Sequence, residues 1–161
     1  QIFIATHGGM AVRFDENDVR PMGRAARGVR GVSLRKGDYV VAVCALSPEG
    51  TEKILSISEK GFGKQTQADS YRLIKRGGKG VINMKVTPKT GNVVAAFPVE
   101  EDSEVMIIRI SVDQIRETGR SAQGVTLIKT SEDDLVTSAS LLTVEDKDND
   151  RDDTDDIQLE D

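Results

Sequence analysis

The sequence predicts an all-β chain, an array of three repeated units of about four strands each. Three observations carry that expectation. A cationic, glycine-rich turn leading into an apolar stretch occurs three times, as Arg27-Gly28-Val29-Arg30-Gly31-Val32-Ser33-Leu34, Arg76-Gly77-Gly78-Lys79-Gly80-Val81-Ile82-Asn83 and Arg120-Ser121-Ala122-Gln123-Gly124-Val125-Thr126-Leu127. The copies begin 49 and 44 residues apart, a period that marks stacked sheet-forming units rather than one irregular domain. Short apolar runs alternate with glycine-containing turns, and no segment sustains a helical stripe.

The elements follow in order. Ile2 to Val12 reads as strand, polar-Gly turn, strand, and Ile54 to Lys64 repeats the pattern. Glycine supplies the positive φ that tight hairpin turns need. Tyr39 to Leu46 is a further strand of unit one. In unit two, Val81 to Val86 and Val93 to Val99 are strands joined by the turn residues Lys89-Thr90-Gly91-Asn92. Unit three offers Val105 to Ile110, Val125 to Lys129 and Leu135 to Val144. Its spacing is short: Ile57 to Arg76 spans 19 positions, Ile108 to Arg120 only 12. The deficit falls where the other units carry a hairpin turn, so a loop is expected to be missing between Ile108 and Arg109. The units run over residues 1–52, 53–103 and 104–144. Three are too few to close a propeller-like ring, which takes about 4–8 blades.

Composition narrows the classes. With 37% hydrophobic residues over 161 the chain can bury a core, while 15 glycines and 30% charged residues suit a turn-rich surface. With no Trp, two Tyr and four Phe, it lacks the aromatic platforms of single-strand nucleic-acid binders. A single Cys excludes an internal disulfide and fits a reducing cytoplasm. No run approaches the roughly 20 apolar residues of a membrane helix, and no signal peptide is visible. The chain begins with Gln1 directly before a strand, as a piece of a longer protein would.

The formal charge of −5 is an average over unlike parts. Residues 145–161 hold ten acidic side chains against Lys147 and Arg151, a balance of −8, which leaves +3 for residues 1–144. By unit the balance is +1, +4 and −2, so unit two is the most basic. The tail lacks the apolar content to offset its ordering entropy and is expected to be disordered. It serves solubility, or it competes with a polyanion for the basic surface; composition leaves both open.

At these residues the chain resembles the C-terminal domain of the bacterial DNA gyrase A subunit. Ile74-Lys75-Arg76-Gly77-Gly78-Lys79-Gly80 is similar to the last five positions of the family's seven-residue box, Gln-Arg-Arg-Gly-Gly-Lys-Gly. Gly23-Arg24-Ala25-Ala26-Arg27-Gly28-Val29-Arg30-Gly31-Val32 and Gly119-Arg120-Ser121-Ala122-Gln123-Gly124-Val125 resemble the degenerate boxes of neighbouring blades. The resemblance covers residues 1 to about 144, and the acidic end is similar to the tails of many gyrase A chains. It implies a β-pinwheel whose blades exchange strands, here a partial ring of about three of some six blades, with duplex DNA wrapped around its rim. It also implies a holoenzyme of two A and two B subunits, with an N-terminal cleavage domain on A and with ATP and Mg2+ bound elsewhere. The complete box belongs to the family's first blade, whereas Ile74 and Lys75 replace the leading Gln and Arg here. Box two therefore reads as a derived copy.

Residue chemistry agrees. Wrapping without base reading rests on phosphate neutralisation and DNA deformability. The candidate DNA contacts are Arg24, Arg27, Arg30, Lys75, Arg76, Gly77, Gly78, Lys79, Gly80, Arg120 and Lys129, the glycines admitting close backbone approach to a phosphate. Surface solvation explains any one of these cations, but not a set repeated in register. Arg13, Arg20, Lys60, Lys64 and Arg72 are weaker candidates. His7, the sole histidine, has no metal-ligand partner at the usual spacing; Cys44 is expected to be a buried apolar residue, and Tyr39 and Tyr71 to serve packing. No nucleophile, Walker or paired-carboxylate arrangement appears, so the segment is expected to hold no catalytic centre and no cofactor. Two other readings stay open, the equivalent domain of topoisomerase IV and a propeller-like protein-interaction scaffold for an acidic partner.

Overall fold

The computed structural model describes residues 1–49, 51–99, 104–106, 110–131 and 134–142, which form β-strands and short 3-10 turns. β1 (Ile2–Thr6) and β2 (Met10–Phe14) make an antiparallel hairpin with Ile2 opposite Phe14, and β3 (Val40–Ala45) pairs with the other edge of β1. β4 (Lys53–Ser58) and β5 (Phe62–Gln67) repeat the hairpin. After β6 (Val81–Ile82), β7 (Val93–Val99) lies against β4 as β3 lies against β1. Even the irregularity is repeated, with the register shifting at Ala5/Thr6 in one pair and at Ile57/Ser58 in the other. β8 (Glu104–Met106), β9 (Ile110–Ser111) and β11 (Ser140–Leu142) form a third, smaller sheet.

The fourth strand of each larger sheet comes from the following repeat. β6 pairs with β2, giving the order β3-β1-β2-β6, and β10 (Val125–Thr126) pairs with β5, giving β10-β5-β4-β7. The second and third basic turns therefore lie where the chain leaves its own repeat and joins the previous sheet. The fold is the all-β, strand-exchanging array of blades that the resemblance implied.

The sheets stack face to face. β4 shows why: Ile54 packs with Phe3, Ala5, Ala11 and Tyr71 toward the first sheet, while Leu55 and Ile57 pack with Ala95, Val112 and Ile115 toward the third. An almost wholly buried strand of this kind has apolar residues on both faces. Phe3 and Tyr71 meet edge to face at 5.0 Å, a favoured aromatic geometry.

Several expectations need adjusting. The stretches Val81 to Val86 and Val125 to Lys129 pair as strands only at their first two residues, because their partners β2 and β5 present only short free edges there. Leu135 to Ser138 is not strand; pairing begins at Ser140. The apolar stretch after box one, Val32 and Ser33, forms no strand and instead bonds to box two. The sequence pattern also missed the 3-10 turns that follow each hairpin, η1 (Glu16–Asp18), η2 (Ala68–Ser70) and η3 (Val112–Gln114). The expected break between Ile108 and Arg109, the strand end at Thr143 and Val144, and the acidic tail 145–161 lie outside the described residues.

Candidate nucleic-acid interface

Backbone hydrogen bonds tie box one directly to box two, and the stretch after box two to box three. Gly77 N donates to Gly31 O at 2.6 Å and Ser33 N to Gly78 O at 2.8 Å, joining box one to box two. Lys85 N donates to Ala122 O at 3.2 Å, joining the stretch after box two to box three. Arginine adds to the splice: Arg76 Nε donates to Asp18 O at 2.8 Å and its Nη1 to Arg30 O at 3.2 Å, while Arg120 Nη1 reaches Ile82 O at 3.4 Å.

Two glycines make the joint possible. Gly80 and Gly124, each closing its box, adopt φ of 78° and 85°. A Cβ on Gly80 would strike the Ala11 carbonyl, and one on Gly124 would lie 2.6 Å from Gly63 O. Only glycine combines that φ with that approach.

Exposure separates the candidate cations. Arg24, Arg27, Arg30, Lys75, Lys79 and Lys129 are exposed, whereas Arg76 and Arg120 are half-buried and partly committed to carbonyls. Gly77, Gly78 and Gly80 are half-buried, and the Gly77 N–H is already used by Gly31. Among the weaker candidates Arg20, Lys60 and Arg72 are exposed, but Arg13 and Lys64 are not surface residues at all. Arg13 bonds Gln1 Oε1 at 2.8 Å and the Ala68 carbonyl, holding η2. Lys64 is fully buried, so it cannot touch a phosphate.

Sequence reasoning passes over Lys89, and with it a second cationic feature. Lys60, Lys89 and Lys129 line an open concavity of about 610 Å³ with Phe62, Thr126, Thr130, Ser131 and Asp134. Lys89 Nζ stands 5.5 Å over the Phe62 ring and Lys60 Nζ donates to Pro88 O at 2.8 Å. In sequence the turn containing Lys89 reads only as a connector; the recurrence of lysine at Lys36, in the corresponding turn before β3, is the available signal.

The residues set aside have structural work. His7 is stacked on Tyr39 at 4.4 Å, hydrogen-bonds Val93 O through Nδ1 at 2.9 Å and faces Glu59 at 3.5 Å, which clasps the tips of two neighbouring hairpins. Tyr39 is thus an exposed ring and not a core residue. Tyr71 donates its hydroxyl to Asn83 Oδ1 at 2.6 Å inside the core, and burial pushes its phenol well above the usual range. Cys44 is half-buried against the first core cluster rather than fully buried, and desolvation lifts its thiol to about 11. No group of three metal-ligating side chains occurs among the described residues, and no helix among them is long and apolar enough to cross a membrane.

Comparison with known proteins agrees with this geometry. The sequence model of a family described as the DNA gyrase C-terminal domain, beta-propeller, matches residues 1–43, 52–100 and 106–143. The DNA gyrase A protein of Lawsonia intracellularis is 48% identical over 136 residues, covering 80% of this chain and 17% of that protein. Its Helicobacter pylori counterpart is 47% identical over 139 residues, 81% of this chain and 17% of its own length. This chain therefore spans about one sixth of those relatives. The solved C-terminal domain of DNA gyrase A superposes with a TM-score of 0.77 at 31% identity, covering 88% of this chain and 50% of that one. A C-terminal domain of DNA topoisomerase IV superposes with a TM-score of 0.82 at 25% identity, over 91% and 47%.

Proposed function

This chain belongs to the DNA gyrase C-terminal domain family, and from that premise we propose that it binds duplex DNA by its phosphates and bends it along the strip of boxes. The observation that carries the reading is the splice between successive boxes. With Arg24, Arg27, Arg30, Lys75 and Lys79 exposed on and beside the two spliced boxes, and Lys129 exposed after box three, it supports a row of cations held by backbone. Long cations at intervals along a rigid edge neutralise phosphates without reading bases, as non-specific wrapping requires. Arg76 and Arg120 contribute charge and hold the row together; Gly77, Gly78 and Gly80 keep the backbone low enough for DNA to approach.

In the complete protein this module would hand a wrapped segment to the N-terminal cleavage domain of gyrase A. With gyrase B in an A2B2 assembly, and with ATP and Mg2+ bound outside this chain, that gives negative supercoiling its direction. The setting is the bacterial cytoplasm, on the chromosome. Sequence identity favours gyrase over topoisomerase IV, although the superposition on the latter has the higher TM-score.

Duplex binding titrated against salt is the test. About 6–10 phosphate contacts lower affinity by some 10³–10⁵ between 50 and 200 mM salt. A flat salt response, or no binding at low salt even without residues 145–161, would favour the scaffold for an acidic protein.

A further inference from the structure

Lys64 is a lysine with no exposed surface and, among the described residues, no counter-ion. Its relative exposure is 0%, a burial lysine almost never adopts without a paired charge. The ammonium donates to Thr66 Oγ1 at 3.1 Å, Gly119 O at 3.1 Å and Arg120 O at 2.7 Å. All three partners are neutral oxygens, and two are carbonyls of the turn that opens box three. Among the described residues the Arg120 guanidinium repels it, and the Tyr71 phenol, which reaches its partner Thr66, stays protonated. The rest of its surroundings is neutral: Ser56 stands opposite it on β4 and hydrogen-bonds Asn83, which in turn accepts from Tyr71.

Box three lacks its lysine. Gln123 occupies the place that Lys79 fills in box two, leaving Arg120 as the lone surface cation of that box. At the place of Lys64 in the first sheet stands Val12, packed with Ile4 and Phe14. The cation missing from the surface of box three is thus matched by one directly beneath it.

We propose that the Lys64 ammonium is the second cation of box three, that a DNA phosphate held at Arg120 is its counter-anion, and that duplex binding draws a proton onto Lys64. The inference rests on the DNA-binding reading and names where that reading couples to protons. The phosphate does not touch Lys64; it acts across one peptide unit. At separations on the order of 8–12 Å and an effective dielectric near 20, an opposite charge raises the proton affinity of an amine by about 10–30-fold. Burial, with the repulsion of Arg120, holds the free amine near 7, so a bound phosphate moves it across neutral pH.

Calorimetry of duplex binding by the full-length protein, in two buffers of different ionisation enthalpy near pH 7.5, tests this. Wild-type protein takes up about half a proton per chain through this group for a tenfold rise in proton affinity. Lys64→Met binds duplex without that share, and its affinity no longer falls by up to about tenfold between pH 6 and 9. Uptake that persists in Lys64→Met and disappears in His7→Gln overturns the proposal. Should the variant fold poorly, the wild-type Lys64 side chain can be titrated by NMR with and without duplex. A midpoint that climbs by about one unit on binding supports the proposal, and one that stays put overturns it. Absence of duplex binding at low salt sinks the DNA reading and this inference with it; binding without Lys64-linked proton uptake sinks only the inference.

Discussion

Gly80 and Gly124 occupy the same place in successive boxes, each held at positive φ against the backbone of the preceding sheet. Gly80→Ala or Gly124→Ala should therefore cost about 2–4 kcal/mol, from strain and from the carbonyl collision together. Gly119→Ala, where a Cβ meets nothing within 4 Å, should leave the thermal midpoint unchanged; equal losses at the three sites would refute the distinction. Lys64 sets a pH dependence with a definite sign. Unfolded, it keeps its proton to about 10.5; folded, it releases it near 7. The unfolded chain binds more protons between those values, so stability rises with pH across that window. The wild-type denaturation midpoint should climb relative to that of Lys64→Met between pH 7 and 9.5, and parallel profiles would contradict it. The box cations were legible in sequence because repetition exposes what a single Arg hides. Lys64 was not, because its burial is decided by Tyr71, Asn83 and the box-three turn, up to 56 residues away in sequence.

At the scale of elements, β2 and β5 do more than pair with their neighbours. Their fourth residues, Arg13 and Gln65, reach over to hold the 3-10 turn of the next repeat: Gln65 Nε2 donates to Val112 O at 2.6 Å and to Ile115 O at 2.8 Å. Gln65→Ala takes the side-chain donor from the Ile115 carbonyl and leaves the Val112 carbonyl only the Ile115 N–H, and should cost about 1–3 kcal/mol in urea unfolding; a change within error would mean that the turn finds other partners. The strands β3 and β7 were readable to within a residue or two, since continuous apolar runs between turn residues leave little ambiguity. Their sheet order was not. Periodicity says that a strand exists and which face is apolar, but not that Val81 will pair with Ala11 in the preceding repeat.

For the whole molecule, unequal charge among the boxes implies unequal grip. Lys75 and Lys79 are exposed and make no hydrogen bond that shapes the strip, so they test DNA contact more cleanly than Arg76, whose guanidinium also ties Asp18 to Arg30. Reversing Lys75 and Lys79 to Glu should lower the salt slope of duplex binding by about 2. Reversing Lys129 alone should lower it by about 1. Identical effects would show that unit two does not dominate. The all-β array was legible from its period, whereas the bonding of box one to box two emerges only from the structure.

The exchange of strands has a mechanical consequence. A polymer bent against its own stiffness pulls on whatever holds it, and in the proposed wrapping boxes two and three stand at the crossings where one repeat hooks into the sheet of the one before. Force applied at box two is borne by the pairs Met10 with Ile82 and Ala11 with Val81, and force at box three by Val125 with Gly63 and Thr126 with Phe62. Load placed on box two or box three is thereby shared with the preceding blade, as in a chain whose links are closed through each other.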